Sequence, residues 1–341
     1  LWLMEVGLHN KLENIQFLRF IAAFSVMMVH LPSIGFGIWG VDIFFVISGF
    51  VMMYITEKEN NLFFLKRLIR VVPLYWIATS IIFLIALIKP DYLISTTANF
   101  EYLLKSLFFI PFNKNELGHF PILSLGWTLN YEIIFYTLFS LSLIFFKDKK
   151  VLFVSSMIII FIIINNFLSG KNFIFWVYSN LIFLEFIFGM VVYKIWYKYF
   201  NKFEINLRNK IILIIITLIL TFYLNSHRFE VLFLANLESS RVIRFGIPSF
   251  FLILIFLFFL SDIKFPKIFI ILGDASYCIY LIHPFLIKFF YNVFSINQYN
   301  FTIQIISQIF IVLFILWLSI MIFLFVESPI SKKLKKSFKL K

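Results

Sequence analysis

Ten apolar runs, most of them of the roughly 17 to 25 residues that a helix needs to cross a bilayer, follow one another along this chain. They extend from Ile15 to Ile34, Ile38 to Thr56, Val71 to Ile88, Ile122 to Phe146, Val151 to Leu168, Phe173 to Trp196, Ile211 to Leu224, Val242 to Ser261, Ile268 to Phe290 and Thr302 to Val326. In a bilayer every backbone polar group must be bonded internally, so such runs fold as helices. The alternating ten-residue pattern of an outer-membrane barrel is absent. With 62% hydrophobic and only 14% charged residues, the 341-residue chain leaves no stretch for a soluble catalytic domain. The fold class expected is therefore all-α, a polytopic membrane bundle of about ten helices. Residues 1–331 form the integral-membrane domain of that reading, and 332–341 a basic tail that meets lipid headgroups.

Charge orients the bundle. The formal net charge of +13 lies in short runs between the apolar stretches, a pattern that fits cytoplasmic loops and anionic headgroups and excludes nucleic acid as a partner. With the amino terminus inside, the cytoplasmic segments hold Lys11, the stretch from Lys58 to Arg70, the clusters Lys147–Lys150 and Lys198–Lys210, and the lysines from Lys332 to Lys341. Outside loops hold only Lys105, Lys114, Lys171, Arg228 and Arg241, so both termini are expected in the cytoplasm. The first run is not a removable leader, because Arg19 interrupts it and no small-residue cleavage site follows. Cys278 is the single cysteine, so no disulfide framework or thiolate metal site is expected. Walker, HExxH, GxSxG and dinucleotide motifs are absent.

The informative residues are the ionisable ones at membrane depth, since each costs at least ~2.5–3.5 kcal/mol there. In LRFIAAFSVMMVH, Arg19 and His30 are eleven residues apart, about three turns and ~16 Å, which puts both on one helix face. Each alone reads equally as a snorkelling side chain. Asp42, in GVDIFFVISGF, follows a glycine-containing turn and can reach the level of His30 to orient the imidazole, or cap its own helix. In GWTLNYEIIFY, Thr128, Glu132 and Tyr136 are spaced by four and form a polar stripe, with Glu132 deep enough to need a partner or a wet cavity. Glu185 is an isolated acid for which structural pairing is expected. Arg67 and Arg70, in KRLIRVVPLYW, lie one turn apart and can grip a polyanion or act only as topology signals. In LGDASYCIYLIHP, Ser276, Tyr280 and His283 share a helix face, suited to a substrate or to helix packing.

These five stretches, with ESP at Glu327 to Pro329 as a sixth, occur from residue 18 to residue 329 in the order found in the integral-membrane acyltransferase family 3, and the chain resembles that family over nearly its whole length. The resemblance implies about ten helices in the bacterial cytoplasmic membrane and transfer of an acyl group, usually from acetyl-CoA as co-substrate, to an extracytoplasmic polysaccharide or other envelope glycan. It places catalysis on His30 and Arg19 with the acidic position at Glu132, to which the residues add Asp42 as a candidate. Arg67, Arg70 and Arg19 fall at the acyl-CoA site, while Tyr136, Tyr280 and His283 are candidates for substrate contact; no metal is implied. The TLNYE sequence resembles the exopolysaccharide-modifying branch. Some relatives carry a soluble C-terminal hydrolase-like domain that completes transfer outside the membrane, a step expected here of a separate protein; polysaccharide assembly proteins are further expected partners. A transporter or flippase of a lipid-linked sugar, or a non-catalytic scaffold, are the competing readings of the same buried charges. Topology is directly testable: a reporter fused after Lys341 should report cytoplasm and one within Asn225 to Arg241 the outside, and the reverse result would remove the cytoplasmic polyanion clamp.

Overall fold

The computed structural model describes residues 12–57, 62–89, 98–113, 120–168, 180–199, 241–261 and 263–340, together with residues 93, 177, 178, 208, 211, 212, 215 and 217. Among these the chain is helical, with no strand. The helices are α1 (Glu13–Val29), α2 (Gly40–Thr56), α3 (Phe63–Ile88), α4 (Phe100–Leu107), α5 (Trp127–Phe145), α6 (Lys150–Leu168), α7 (Leu184–Tyr199), α8 (Ile247–Phe259), α9 (Lys267–Asp274), α10 (Ser276–Val293), α11 (Phe301–Ile322) and α12 (Ser328–Ser337). Four unbroken helical stretches among them are long and apolar enough to cross a membrane: Phe63–Ile88, Ser124–Phe145, Val242–Phe259 and Phe301–Ser337. Most of the seventh apolar run, Ile211 to Leu224, and of the segment Asn225 to Arg241 lies outside the described residues, as do residues 90–92, 94–97 and 114–119 of the segment Lys89 to Pro121, and Lys11 and Lys58.

Three boundaries differ from the sequence reading. Arg67 and Arg70 lie on successive turns of a helix, as their spacing indicates, but that helix is the third span itself: α3 begins at Phe63 rather than at Val71 and continues through Pro73. The expected ninth span is two helices, α9 and α10, bent by 73° at Ala275. A backbone constraint lies beside that bend: Gly273 presses on α1, and a Cβ there would stand 2.1 Å from the Gln16 carbonyl oxygen. The tenth span does not stop at Val326. A π-helical turn, Phe323–Glu327, joins α11 to α12, so the chain stays helical across residues 331 and 332, where the basic tail was expected to begin.

α1 is the central element, packed on α2, α8, α9 and α10. Its start is tied to α8 by Asn14, whose amide donates to the Phe256 carbonyl at 2.6 Å. The most extensive helix pairing is α2 with α7. Within apolar surroundings burial alone does not choose partners, so close backbone approach supplies the dispersion contact that holds helices together. Gly49 and Gly189 face each other at this crossing, and a Cβ on Gly49 would lie 2.1 Å from the Phe186 carbonyl oxygen. Beside them Phe186 stacks on Phe135 of α5 at 4.2 Å between ring centroids, which links the pair to the next helix.

Since a Cβ on Gly189 would meet the Val46 carbonyl oxygen at 2.0 Å, Gly189→Ala must push α2 and α7 apart. It should destabilise the protein by ~1–3 kcal/mol, seen as a lower thermal transition of the purified protein in detergent. An unchanged transition would mean that the crossing is looser than described.

Candidate active site

Helices α1, α2, α3, α5, α9, α10 and α12, with the π turn before α12, enclose a cavity of about 190 Å³. One end of it is rich in charge. Arg19, Lys66, Arg67, Arg70, Lys332 and Lys335 line it together with the acids Glu132, Asp274 and Glu327. Cations thus outnumber acids, and focusing between low-dielectric walls makes this end attractive to anions. Each side chain has a local reason for its place. Arg19 donates to Gln16, one turn earlier on α1, at 3.0 Å. Arg67 is 1% exposed and its guanidinium sits 6.0 Å from the Phe63 ring centre. Glu132 accepts from the Ser48 hydroxyl of α2 at 2.9 Å and from the Tyr136 hydroxyl one turn along α5. Glu327, in the π turn, accepts from the Cys278 thiol at 3.0 Å, which fastens the last helical stretch to α10.

The other end of the cavity is aromatic and neutral. Thr128 and Tyr280 share a hydroxyl–hydroxyl bond of 3.0 Å there, and the Phe44 ring lies 6.0 Å from that of Tyr280. Immediately beyond stand two histidines. The His283 ring is 6.3 Å from the Tyr280 ring, and its Nε2 is 3.2 Å from Nδ1 of His30. His30 ends α1 and is exposed; His283 is fully buried. Neither lines the cavity itself.

The expected pairing of Asp42 with His30 is not found. Asp42 is 0% exposed and accepts two bonds from Arg241, Nε to Oδ1 at 3.0 Å and Nη2 to Oδ2 at 2.7 Å. The same Nη2 reaches the Ile38 carbonyl at 3.1 Å. A planar fork offers a buried carboxylate two charged donors at once, which an exposed imidazole at a helix end cannot match. Glu185, also 0% exposed, has Asp42 and Arg241 as charged neighbours.

Of the residues singled out from sequence, Arg19, Arg67, Arg70, Glu132, Tyr136 and Tyr280 come together on the cavity wall, and His30 meets His283 just outside it. His283 faces His30 where a substrate contact was expected, and it has no exposed surface to offer a substrate. Sequence reasoning missed Lys332 and Lys335. Their spacing repeats that of Arg67 and Arg70, and the signal is the run of helix-compatible residues from Ser331 to Ser337, which after Ser331 reads as a tail. Lys66, Asp274 and Ser48 were also missed; nothing but the tertiary arrangement brings them to the cavity.

Residues 12–324 match the family described as acyltransferase domain. Among curated proteins, the exopolysaccharide production protein ExoZ of Rhizobium meliloti is 34% identical over 168 residues, 48% of this chain and 52% of that one. An uncharacterized protein of Haemophilus influenzae is 31% identical, covering 57% of this chain and 87% of that one. The O-acetyltransferase OatA of Staphylococcus aureus is 26% identical over 96% of this chain and 58% of its own length. The chain therefore spans between about half and three fifths of the two named relatives. No solved structure matches it. The family match takes in both histidines, Arg19, Arg67, Arg70 and Glu132, and the chain belongs to the acyltransferase-domain family.

Proposed function

We propose that the protein is a multi-pass O-acyltransferase of the bacterial cytoplasmic membrane, with about ten spans and both termini inside, that moves an acyl group, acetyl in the first instance, from cytoplasmic acyl-CoA to a hydroxyl of an envelope glycan. The observation that carries this reading is the polarity of the cavity: cations at one end, and a histidine pair beyond the other. A phosphorylated donor with a long neutral arm and a reactive end has the same polarity. Arg67, Arg70, Arg19, Lys332 and Lys335 hold the CoA phosphates as charge-assisted donors. The place of Arg19 among these cations, ~16 Å along α1 from His30, favours a phosphate contact over one to the thioester carbonyl. The arm runs past Glu132 and Tyr136, and the Thr128–Tyr280 contact parts to admit the thioester to the histidines.

His30 takes the proton of the acceptor hydroxyl as its oxygen attacks the thioester carbon. The new C–O bond forms, the C–S bond breaks, and the proton passes to the departing CoA sulfur. The names of OatA and ExoZ, an O-acetyltransferase and an exopolysaccharide production protein, support a glycan as acceptor.

Labelled acetyl-CoA supplied to the purified protein in liposomes tests the reading: label should reach the glycan and CoA should be released, whereas a flippase would move its cargo with neither. At the charged end, Arg70→Ala and Lys335→Ala should each weaken acetyl-CoA binding by ~1.5–3 kcal/mol. Wild-type affinity in folded Arg70→Ala would leave that residue as a topology signal only. At the other end, His30→Ala should lower transfer by ~10²-fold or more while acetyl-CoA affinity is kept. Gln at that position should not rescue, because it bonds but takes no proton.

A further inference from the structure

The two histidines are held in the same way on different helices. Nδ1 of His30 lies 2.9 Å from the Val26 carbonyl oxygen, and Nδ1 of His283 lies 2.9 Å from the Ile279 carbonyl oxygen, each four residues back on its own helix. The rings then meet nearly edge to face, at 72° and 4.8 Å between centroids, with His283 Nε2 against His30 Nδ1 at 3.2 Å.

A neutral imidazole carries one N–H and one lone pair, and a carbonyl oxygen can only accept. These facts select one arrangement of protons. With the proton of His283 on Nδ1, it bonds Ile279, and Nε2 is left as an acceptor. With the proton of His30 on Nδ1, one N–H serves both Val26 and His283 Nε2, a shared geometry that is common where helices end. The opposite assignment, His283 donating from Nε2 to a bare Nδ1 of His30, sets a lone pair against each of the two carbonyls at 2.9 Å. The consistent arrangement leaves His30 Nε2 bare, and among the described residues it has no hydrogen-bond partner. His30 is exposed while His283 is fully buried, so only His30 can present its lone pair to an incoming hydroxyl.

We infer that His283 is a positioning residue, whose Nε2 holds the His30 ring in the Nδ1–H tautomer and so makes His30 Nε2 the proton acceptor. When that nitrogen takes the acceptor proton, His30 becomes a cation, and its bond to His283 turns into a charge-assisted one. The motif YLIHP thereby acquires a role in the chemistry without touching the substrate. This rests on the acyl-transfer reading above.

The test uses the full chain in liposomes, with labelled acetyl-CoA and alkali-deacetylated envelope polysaccharide from the host as acceptor. His283→Leu removes the acceptor nitrogen, and His283→Gln replaces it with a side-chain carbonyl. His283→Lys offers donors only. Leu and Lys should lower kcat about 10- to 100-fold, the range for partners that orient an imidazole, with KM for acetyl-CoA unchanged. Gln should return kcat to within a few-fold of wild type. Wild-type kcat in His283→Leu overturns the inference, and so does an equal loss in Leu and Gln, which would make the residue a packing element. If Leu does not fold, Gln against Lys carries the same comparison. Transfer that survives in His30→Ala would instead overturn the assignment of the base itself.

Discussion

A charge that enters a bilayer has to be compensated where it stands, and three groups of ionisable side chains among the described residues meet that constraint. Three solutions coexist within one bundle. Arg241 and Asp42 neutralise each other through two parallel bonds beside Glu185. The six cations and three acids of the cavity share a polar recess that crosses between helices. The two histidines satisfy their Nδ1 atoms on backbone carbonyls and their remaining contact on each other. The first consumes its charge internally; the last two are those that the proposed function opens to another molecule.

Such an arrangement requires helices that do not drift. Glycine supplies this at three places on two helices that carry the site: Gly40 on the Ala22 backbone, Gly49 on α7 and Gly273 on the Gln16 backbone. These crossings bring α1, α2 and α9 near the limit of backbone approach. They also fix the depth of Arg19, Ser48 and Asp274 relative to one another, which side-chain packing among interchangeable Leu, Ile and Phe would leave loose.

The helical class and several residues that line the candidate site are legible because their signals are local. Arg19 and His30 share a face by simple helical arithmetic, and the Thr128, Glu132, Tyr136 stripe reaches the cavity as a stripe. What was illegible depends on contacts far apart in sequence. From sequence Asp42 reads as a partner of the nearby His30 or as a cap of its own helix, whereas its partner is 199 residues away. His283 was weighed as a substrate contact because nothing in YLIHP shows that another helix will end with its imidazole 3.2 Å away. The break at Ala275 escapes a hydropathy reading because the short polar stretch Gly273-Asp274-Ala275-Ser276 is flanked by apolar residues on both sides, and hydropathy measures composition rather than direction.

The π turn at Phe323–Glu327 deserves to be seen as a setting of angular phase. A π turn holds one residue more than an α turn, so everything after it is rotated by about 100° from where an unbroken α-helix would carry it. Lys332 and Lys335 face the cavity with that rotation included. Because the two lysines are locked to α11 through a continuous helix, loss of a single residue between Phe323 and Glu327 would swing both off the cavity while leaving every charge in the sequence intact.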